Sequence, residues 1–185
     1  MKRLPILAIV LVAFAFAAHA QDAMKKDAAK PADPEVKVVL ASWNEIGRKL
    51  TVMAEDFPED KYDFKPTPAQ RSFAEQLLHA AGSCYYFTNS VMGQKPPTED
   101  PKREQYKSKA DIVAFVKKSF ADGAAAIQAK GEKGMTTEVE YFPHQKSRVL
   151  DIAYGIIEHS GEHYGQLVVY YRLAGLVPPE SRPKK

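Results

Sequence analysis

Apolar residues recur at helical spacing in four separate segments of the chain. Asp33 and Pro34 precede the first segment, and an N-cap residue followed by a first-turn proline indicates a helix start. The apolar positions that follow alternate by steps of four and three, as on one face of a helix of about twenty residues. They are Val39, Trp43, Ile46, Leu50 and Met53.

A second helix is predicted after a proline-rich and aromatic-rich connection over residues 56–71. Ser72 and Glu75 form a capping-box pattern, in which a hydroxyl and a carboxylate each satisfy a free amide at the helix start. Gly93 and the prolines beyond it end the helix. Its apolar side consists of Phe73, Leu77, Ala81, Cys84, Phe87 and Val91.

A third helix is predicted to start at Ser108, with Asp111 three residues later, and to break at Gly131 and Gly134. Its apolar stripe consists of Ile112, Phe115, Val116, Phe120, Ala124 and Ile127.

A fourth helix is predicted from a cap at Ser147 to Ala174, with Gly175 as its stop signal. Residues 135–142 include a short piece rich in Thr, Val and Tyr, which could be extended but is too short to define a sheet. Four amphipathic helices therefore predict an all-α four-helix bundle, in a single domain over residues 33–180. The connections are long enough to join either adjacent or diagonally opposite helices, so the spatial order of the helices stays open.

The two ends of the chain are predicted to lie outside the bundle. Residues 1–20 combine a basic start, an apolar run over residues 6–18 and a small-x-small motif ending at Ala20, as in a cleaved secretory signal peptide. The run is shorter than the roughly 20 residues that span a bilayer, so a retained anchor is the weaker interpretation. Residues 21–32 are predicted to be a flexible leader and residues 181–185 a solvated basic tail. We therefore expect an exported protein, periplasmic or secreted, without a stable membrane anchor.

Charge and cysteine content narrow the classes of function. Without Lys2 and Arg3, the mature chain of 185 − 20 = 165 residues has a net charge of (26 − 2) − 23 = +1. Such a chain has no electrostatic reason to bind nucleic acid. Cys84 is the only cysteine, which excludes an intramolecular disulfide and cysteine-rich zinc sites. It lies on the apolar stripe of the second helix and is predicted to fill the core.

His159 and His163 lie four residues apart in the fourth helix, so their imidazoles stack on one face and can reach a single point. At about 100° per residue, His163 falls within the apolar arc of this helix and His159 at its edge. Buried imidazoles are costly unless their ring nitrogens find partners. A metal ion is one such partner, and hydrogen bonds to tyrosines or carboxylates that hold the helices together are the alternative.

A third ligand would have to come from elsewhere in the chain. His144 follows Pro143 in a loop, whereas His79 lies within the second helix. By periodicity alone His79 points away from the apolar stripe with Gln76 and Ser83, which favours an exposed polar face. The alternative is that this helix has a second inward surface, lining a polar pocket beside the fourth helix.

Two parts of the sequence carry motifs that are more specific in combination than the histidine pair. The first part contains FKPTP at 64–68, SF at 72–73 and LLH at 77–79, and the second contains EHSGEHYGQL at 158–167, YRL at 171–173 and GLVPP at 175–179. Together they resemble the DinB family of DinB/YfiT-like metalloenzymes over essentially the whole mature chain. The resemblance implies a four-helix bundle that holds a divalent metal on His79, His159 and His163.

Three imidazole ligands leave at least one coordination position open, as in catalytic metal sites. Imidazoles suit several divalent ions, of which Zn, Ni and Fe are expected here. Related bundles include thiol-dependent transferases, so the resemblance implies an enzyme with hydrolytic or thiol-transfer chemistry on an unidentified small molecule. The alternative is a noncatalytic metal-binding or small-molecule-binding protein of the cell envelope. The resemblance is also compatible with a homodimer.

Four further polar residues lie close in sequence to the histidine pair: Glu158, Glu162, Tyr164 and Gln166. They are near enough to support the ligands or to transfer protons. They are equally well interpreted as solvated side chains and one packing tyrosine.

Overall fold

The computed structural model describes residues 34–183 of the chain. The predicted signal peptide, the leader and the Asp33 cap lie outside the described residues, as do the last two residues of the predicted basic tail. Within the described part, four long helices follow one another, and the predicted four-helix bundle is confirmed. None of these helices, over residues 34–183, is long and apolar enough to cross a bilayer.

The first two helices match the sequence prediction closely. Helix α1 spans Glu35–Asp56, with Pro34 at the N-cap position rather than in the first turn. Helix α2 spans Phe73–Val91 and begins with the predicted capping box of Ser72 and Glu75. Every predicted apolar position of both helices is buried.

The last two helices also end and begin near the predicted signals. Helix α3 spans Lys109–Met135 and starts with a capping box formed by Ser108 and Asp111. Gly131, at a φ of 59°, interrupts its helical geometry. Helix α4 spans Val149–Leu173, and Gly175 follows it in the left-handed region at a φ of 77°, the conformation expected of a helix stop.

The connection between α3 and α4 differs from the prediction. Strands β1 (Glu138–Phe142) and β2 (Gln145–Arg148) form an antiparallel hairpin, so the prediction that no sheet forms here is wrong. Ser147 pairs with Val139 in this ladder, and Arg148 takes the N-cap position of α4. The predicted Ser147 cap is therefore wrong as well. A hairpin this short is marginal alone and gains stability from packing, here against α2.

The helices surround one core in a crossed order. Helix α1 packs mainly against α3 and α4, and α2 packs against the same two helices, so α1 and α2 lie diagonally opposite. The connections from α1 to α2 and from α3 to α4 therefore cross the bundle, whereas the connection from α2 to α3 joins neighbouring helices, and this decides the spatial order that the sequence left open. As a result α2 and α4, the two helices with the candidate ligands, are direct neighbours.

Aromatic residues fix the helices in the core. Trp43 is fully buried, and its Nε1 donates a hydrogen bond to the carbonyl oxygen of Phe120 at 2.9 Å. The rings of Phe57 and Phe73 stack with their centroids 3.7 Å apart. Tyr171 of α4 contacts Phe57 and donates to the carbonyl oxygen of Met53 at 2.8 Å. These contacts help to set the rotation of α4, and with it the face that α4 presents to α2.

Arg182, predicted to belong to the solvated tail, is attached to the end of α1. Its guanidinium donates to both carboxylate oxygens of Asp56, at 2.7 and 2.6 Å. The side chain remains partly exposed, but the chain up to this residue is anchored to the bundle.

Candidate metal centre

Helices α2 and α4 run antiparallel and bring polar side chains together between them. Gln76 lies against His163 and Gln166, and Ser83, two turns along α2, lies against His159. Gln76 and Ser83 are buried, with 2% and 7% of their surfaces exposed. The prediction that this side of α2 is an exposed polar face is therefore wrong, and α2 has a second inward surface.

The three predicted ligands converge on this surface. His79, His159 and His163 each offer one ligand atom, and these atoms all lie within 4.8 Å of one another. The Nε2 atoms of His159 and His163 are 3.1 Å apart. Two nitrogens bound tetrahedrally to zinc at about 2.0–2.1 Å would be roughly 3.3–3.4 Å apart. The donor set and this spacing fit a divalent ion with little rearrangement.

A carboxylate orients the histidine of α2. Asp100 Oδ2 lies 2.7 Å from Nδ1 of His79 and 3.3 Å from a guanidinium nitrogen of Arg71. When Nδ1–H donates to this carboxylate, the lone pair of the ring is on Nε2. Carboxylate–histidine pairs of this kind fix the tautomer and the orientation of metal ligands.

Polar side chains also surround the two histidines of α4. Nδ1 of His163 lies 2.6 Å from the side-chain amide nitrogen of Gln76 and 3.3 Å from Oε1 of Gln166. It accepts from the Gln76 amide in one tautomer and donates to Oε1 of Gln166 in the other, which is the tautomer with the lone pair on Nε2. Nε2 of His159 lies 3.1 Å from the hydroxyl oxygen of Ser83. That hydroxyl donates to the carbonyl oxygen of His79 at 2.9 Å, which holds it in place between the two helices.

Burial keeps both histidines of α4 neutral at neutral pH. Desolvation by burial is the largest of the causes that lower the pKa of His163 to about 4, and the nearby His159 and His79 also lower it. Desolvation is also the largest cause that lowers the pKa of His159, and the nearby His79 lowers it as well. Metal ligation requires neutral imidazoles, and protons compete weakly for these two rings.

Comparison with known proteins agrees with this fold. Residues 42–167 match the model of the DinB superfamily. The chain belongs to this superfamily. No functionally curated protein is detectably similar in sequence.

Two solved DinB-like structures share the fold at low sequence identity. A DinB-like protein from Bacillus cereus ATCC 10987 is 18% identical, with a TM-score of 0.64 over 76% of this chain and 93% of that one. The DinB-like protein YjoA from Bacillus subtilis is 20% identical, with a TM-score of 0.63 over 79% of this chain and 99% of that one. These matches confirm the fold that the DinB resemblance implied.

The other polar residues that the sequence analysis singled out differ in their distance from the three histidines. Gln166 contacts His163, as the proximity in sequence allowed, whereas Glu158 and Glu162 are exposed. Tyr164 is half-buried, with the ammonium of Lys49 5.7 Å from its ring centroid. His144 lies in the turn of the hairpin, outside the histidine cluster.

Cys84 fills the core, as predicted. It is fully buried, and burial raises the pKa of its thiol to about 12. Such a thiol stays protonated and is a poor ligand or nucleophile.

Sequence reasoning missed Asp100. It follows α2 in a loop, where helical periodicity gives no information, and it is 21 residues from His79. Only the path of the loop brings the carboxylate to the ring.

Proposed function

We propose that this protein is a divalent-metal-dependent enzyme that acts on a small molecule, with hydrolytic or thiol-transfer chemistry. The convergence of three imidazoles from two helices is the observation that supports the proposal. Three protein ligands leave a position for a substrate group, the arrangement found in catalytic sites. Imidazole ligands suit Zn, Ni, Fe and Cu, and we propose Zn, Ni or Fe as the ion.

The side chains around the histidines have distinct tasks in this proposal. His79, His159 and His163 would hold the ion, Asp100 would fix the tautomer of His79, and Gln166 would accept the Nδ1 proton of His163. A bound divalent ion would supply a Lewis acid for a substrate group at the open position.

Metal content and turnover test the proposal. The mature chain is purified without chelator, its metal is identified by elemental analysis, and hydrolase and thiol-transfer substrates are screened with and without metal. We expect one divalent ion per chain and an activity that His163→Ala abolishes while the fold is retained. His144→Ala, which changes a histidine outside the cluster, is the matched control.

Each result distinguishes between the classes of function. Stoichiometric metal without turnover on a broad panel would favour the noncatalytic binding protein. Absence of bound metal after incubation with Zn, Ni and Fe salts would instead mean that the histidines have a structural role.

We also propose that the protein is exported to the cell envelope and acts there without nucleic acid or a membrane anchor. The signal-peptide pattern of residues 1–20 supports this location. The nearly neutral charge of the mature chain supports the absence of a nucleic-acid partner. N-terminal sequencing of the protein from fractionated cells should give a mature end at Gln21. Sedimentation analysis of the same material tests for a homodimer.

A further inference from the structure

The segment that follows α2 turns back along that helix. We call residues 93–101 the return strap. The side-chain amide of Asn89 donates to the carbonyl oxygen of Lys95 at 3.1 Å, and Asp100 contacts His79 nearer the start of α2. Pro101 lies so close to Gly82 that a Cβ at this glycine would be 2.6 Å from the proline ring. The strap is thus held against α2 along its length.

A cavity of about 640 Å³ lies between the return strap and the β-hairpin. Residues 96–98 of the strap line one side, residues 141–143 of the hairpin line the other, and Ser90 of α2 also contributes to the wall. The volume is in the range of small-molecule sites, which are mostly apolar with a few polar groups. Lys95 and Glu140 add one charge of each sign to the wall. The wall therefore favours a bound group without net charge.

The cavity and the histidines share one face of α2. His79, Ser83, Tyr86 and Ser90 follow one another at steps of four, three and four, the spacing of a single helical face. The ring centroid of Tyr86 lies 6.3 Å from that of Phe142, which belongs to the cavity wall. At 1.5 Å per residue, Tyr86 is roughly 10 Å along the helix from His79, and Ser90 of the cavity wall is roughly 16 Å from it. Thr98 of the wall and Asp100 at His79 are two residues apart in the strap.

Ser90 gives this wall an unsatisfied polar group. Its side chain is buried, and its hydroxyl oxygen has no hydrogen-bond partner among the described residues. Buried hydroxyls are normally hydrogen-bonded. This oxygen is closed to solvent, however, so the apolar wall rather than Ser90 supplies the contacts for a bound molecule.

We propose that the substrate is an elongated molecule, with a metal-binding head at the three histidines and an uncharged, ring-containing body in the cavity between strap and hairpin. This inference rests on the proposed metal site. The prolines at 96, 97 and 143 and the rings of Tyr141 and Phe142 provide the apolar contacts for the body. The shared face of α2 connects the body to the head.

A series of synthetic probes tests this arrangement by binding alone. Acetohydroxamate serves as the head, and ω-phenylalkyl hydroxamates with two to fourteen methylene groups add a ring at increasing distance. Calorimetric titration of the zinc-loaded full-length mature chain should show affinity rising to a maximum at a linker that spans roughly 10–16 Å and falling for shorter linkers. Burial of the ring should improve the dissociation constant by about ten- to a hundredfold over acetohydroxamate.

Two variants test whether the affinity gained from the phenyl tail depends on the cavity. Thr98→Trp, at an exposed position of the strap, should fill the cavity, and Phe142→Ala should remove a ring from its wall without disturbing the core. Both should reduce the gain from the phenyl tail while leaving acetohydroxamate binding unchanged. Leu173→Ala, which changes another exposed apolar residue, on α4, is the matched control and should keep the gain.

The outcomes separate the two proposals. If the chain fails to bind zinc, the proposed function fails and this inference fails with it. If zinc and acetohydroxamate bind but the tail adds no affinity, or Thr98→Trp and Phe142→Ala leave the gain intact, this inference alone is overturned.

Discussion

Asp100 and His79 are joined by a 2.7 Å contact between a carboxylate oxygen and Nδ1, although they belong to a loop and a helix 21 residues apart. Arg71 contacts the same carboxylate oxygen at 3.3 Å. The carboxylate therefore has a fixed position from which it can hold the ring of His79 with Nε2 free. This pair links the return strap to the candidate metal centre.

Removing this carboxylate should weaken metal binding. We expect Asp100→Ala to reduce the zinc affinity about 10- to 100-fold, as for other partners of metal-bound histidines. Asp100→Asn should reduce it less, because the amide oxygen still accepts the Nδ1 proton. Competition titration with a chromogenic chelator measures both. Asp151→Ala, which removes another exposed carboxylate paired with an arginine, should leave the affinity unchanged, and equal effects at the two positions would contradict the role of Asp100.

Metal should stabilise the bundle by connecting α2 and α4. A ligand that binds only the folded state contributes about 2.7 kcal/mol at a free concentration of 100 times its dissociation constant. Thermal unfolding of the wild type should therefore shift upward with zinc and return on addition of a chelator. His79→Ala should lose most of this shift, and His144→Ala should retain it. A shift of the same size in His79→Ala would show that the ion binds elsewhere.

The contact between Trp43 and Gly123 should make the glycine essential for packing. A Cβ at Gly123 would lie 2.0 Å from the indole ring, which is fully buried. We expect Gly123→Ala to lower the free energy of unfolding by about 1–3 kcal/mol or more, since a full core must shift to admit it. Gly155→Ala is the matched control, because no atom lies within 4 Å of a Cβ there. Denaturant unfolding should show it neutral or stabilised, by up to about 1 kcal/mol.

The ion pair of Asp56 and Arg182 should give a pH-dependent contribution to stability. The hydrogen bonds from Arg182 lower the pKa of Asp56 below its usual 3.8, so folding favours the ionised carboxylate. The contribution is therefore present above about pH 3.8 and is lost as the pH falls through the lower pKa of the folded state. Because both side chains are partly exposed, we expect about 1 kcal/mol or less.

Comparison of the wild type with Asp56→Asn isolates this contribution. The difference in free energy of unfolding should be largest between pH 5 and 7 and should shrink in acid, measured by denaturant titration in steps of pH. A difference that stays constant down to the acid transition would mean that the Asp56 charge contributes nothing.

Local sequence signals identified most of the fold because each acts over a few residues. The capping boxes at Ser72 and Ser108 and the stop at Gly175 depend on neighbouring amides and on φ alone, and all three are present in the structure. The hairpin was not predicted, because β1 is stabilised by its packing on α2 and α4, and β2 by its packing on α4, rather than by their own sequence.

The histidine site shows the same difference between local signals and tertiary packing. Spacing on one helix placed His159 and His163 together, since residues four apart share a face whatever surrounds them. Periodicity was misleading for His79, because it assumes a single buried face, whereas α2 is buried on two sides. The family resemblance, and not the spacing, indicated that His79 belongs with the pair.

The sequence by itself determined approximately where the helices begin and end, which stripe of each is apolar and which two histidines are stacked, since these depend on interactions within a few residues. The tertiary structure decided that α2 lies beside α4 and that the loop after α2 returns to place Asp100 at His79. It also decided that a cavity remains between that loop and the hairpin. These features depend on the order in which helices pack and on the path of long connections, and contacts between distant residues leave no local pattern in the chain.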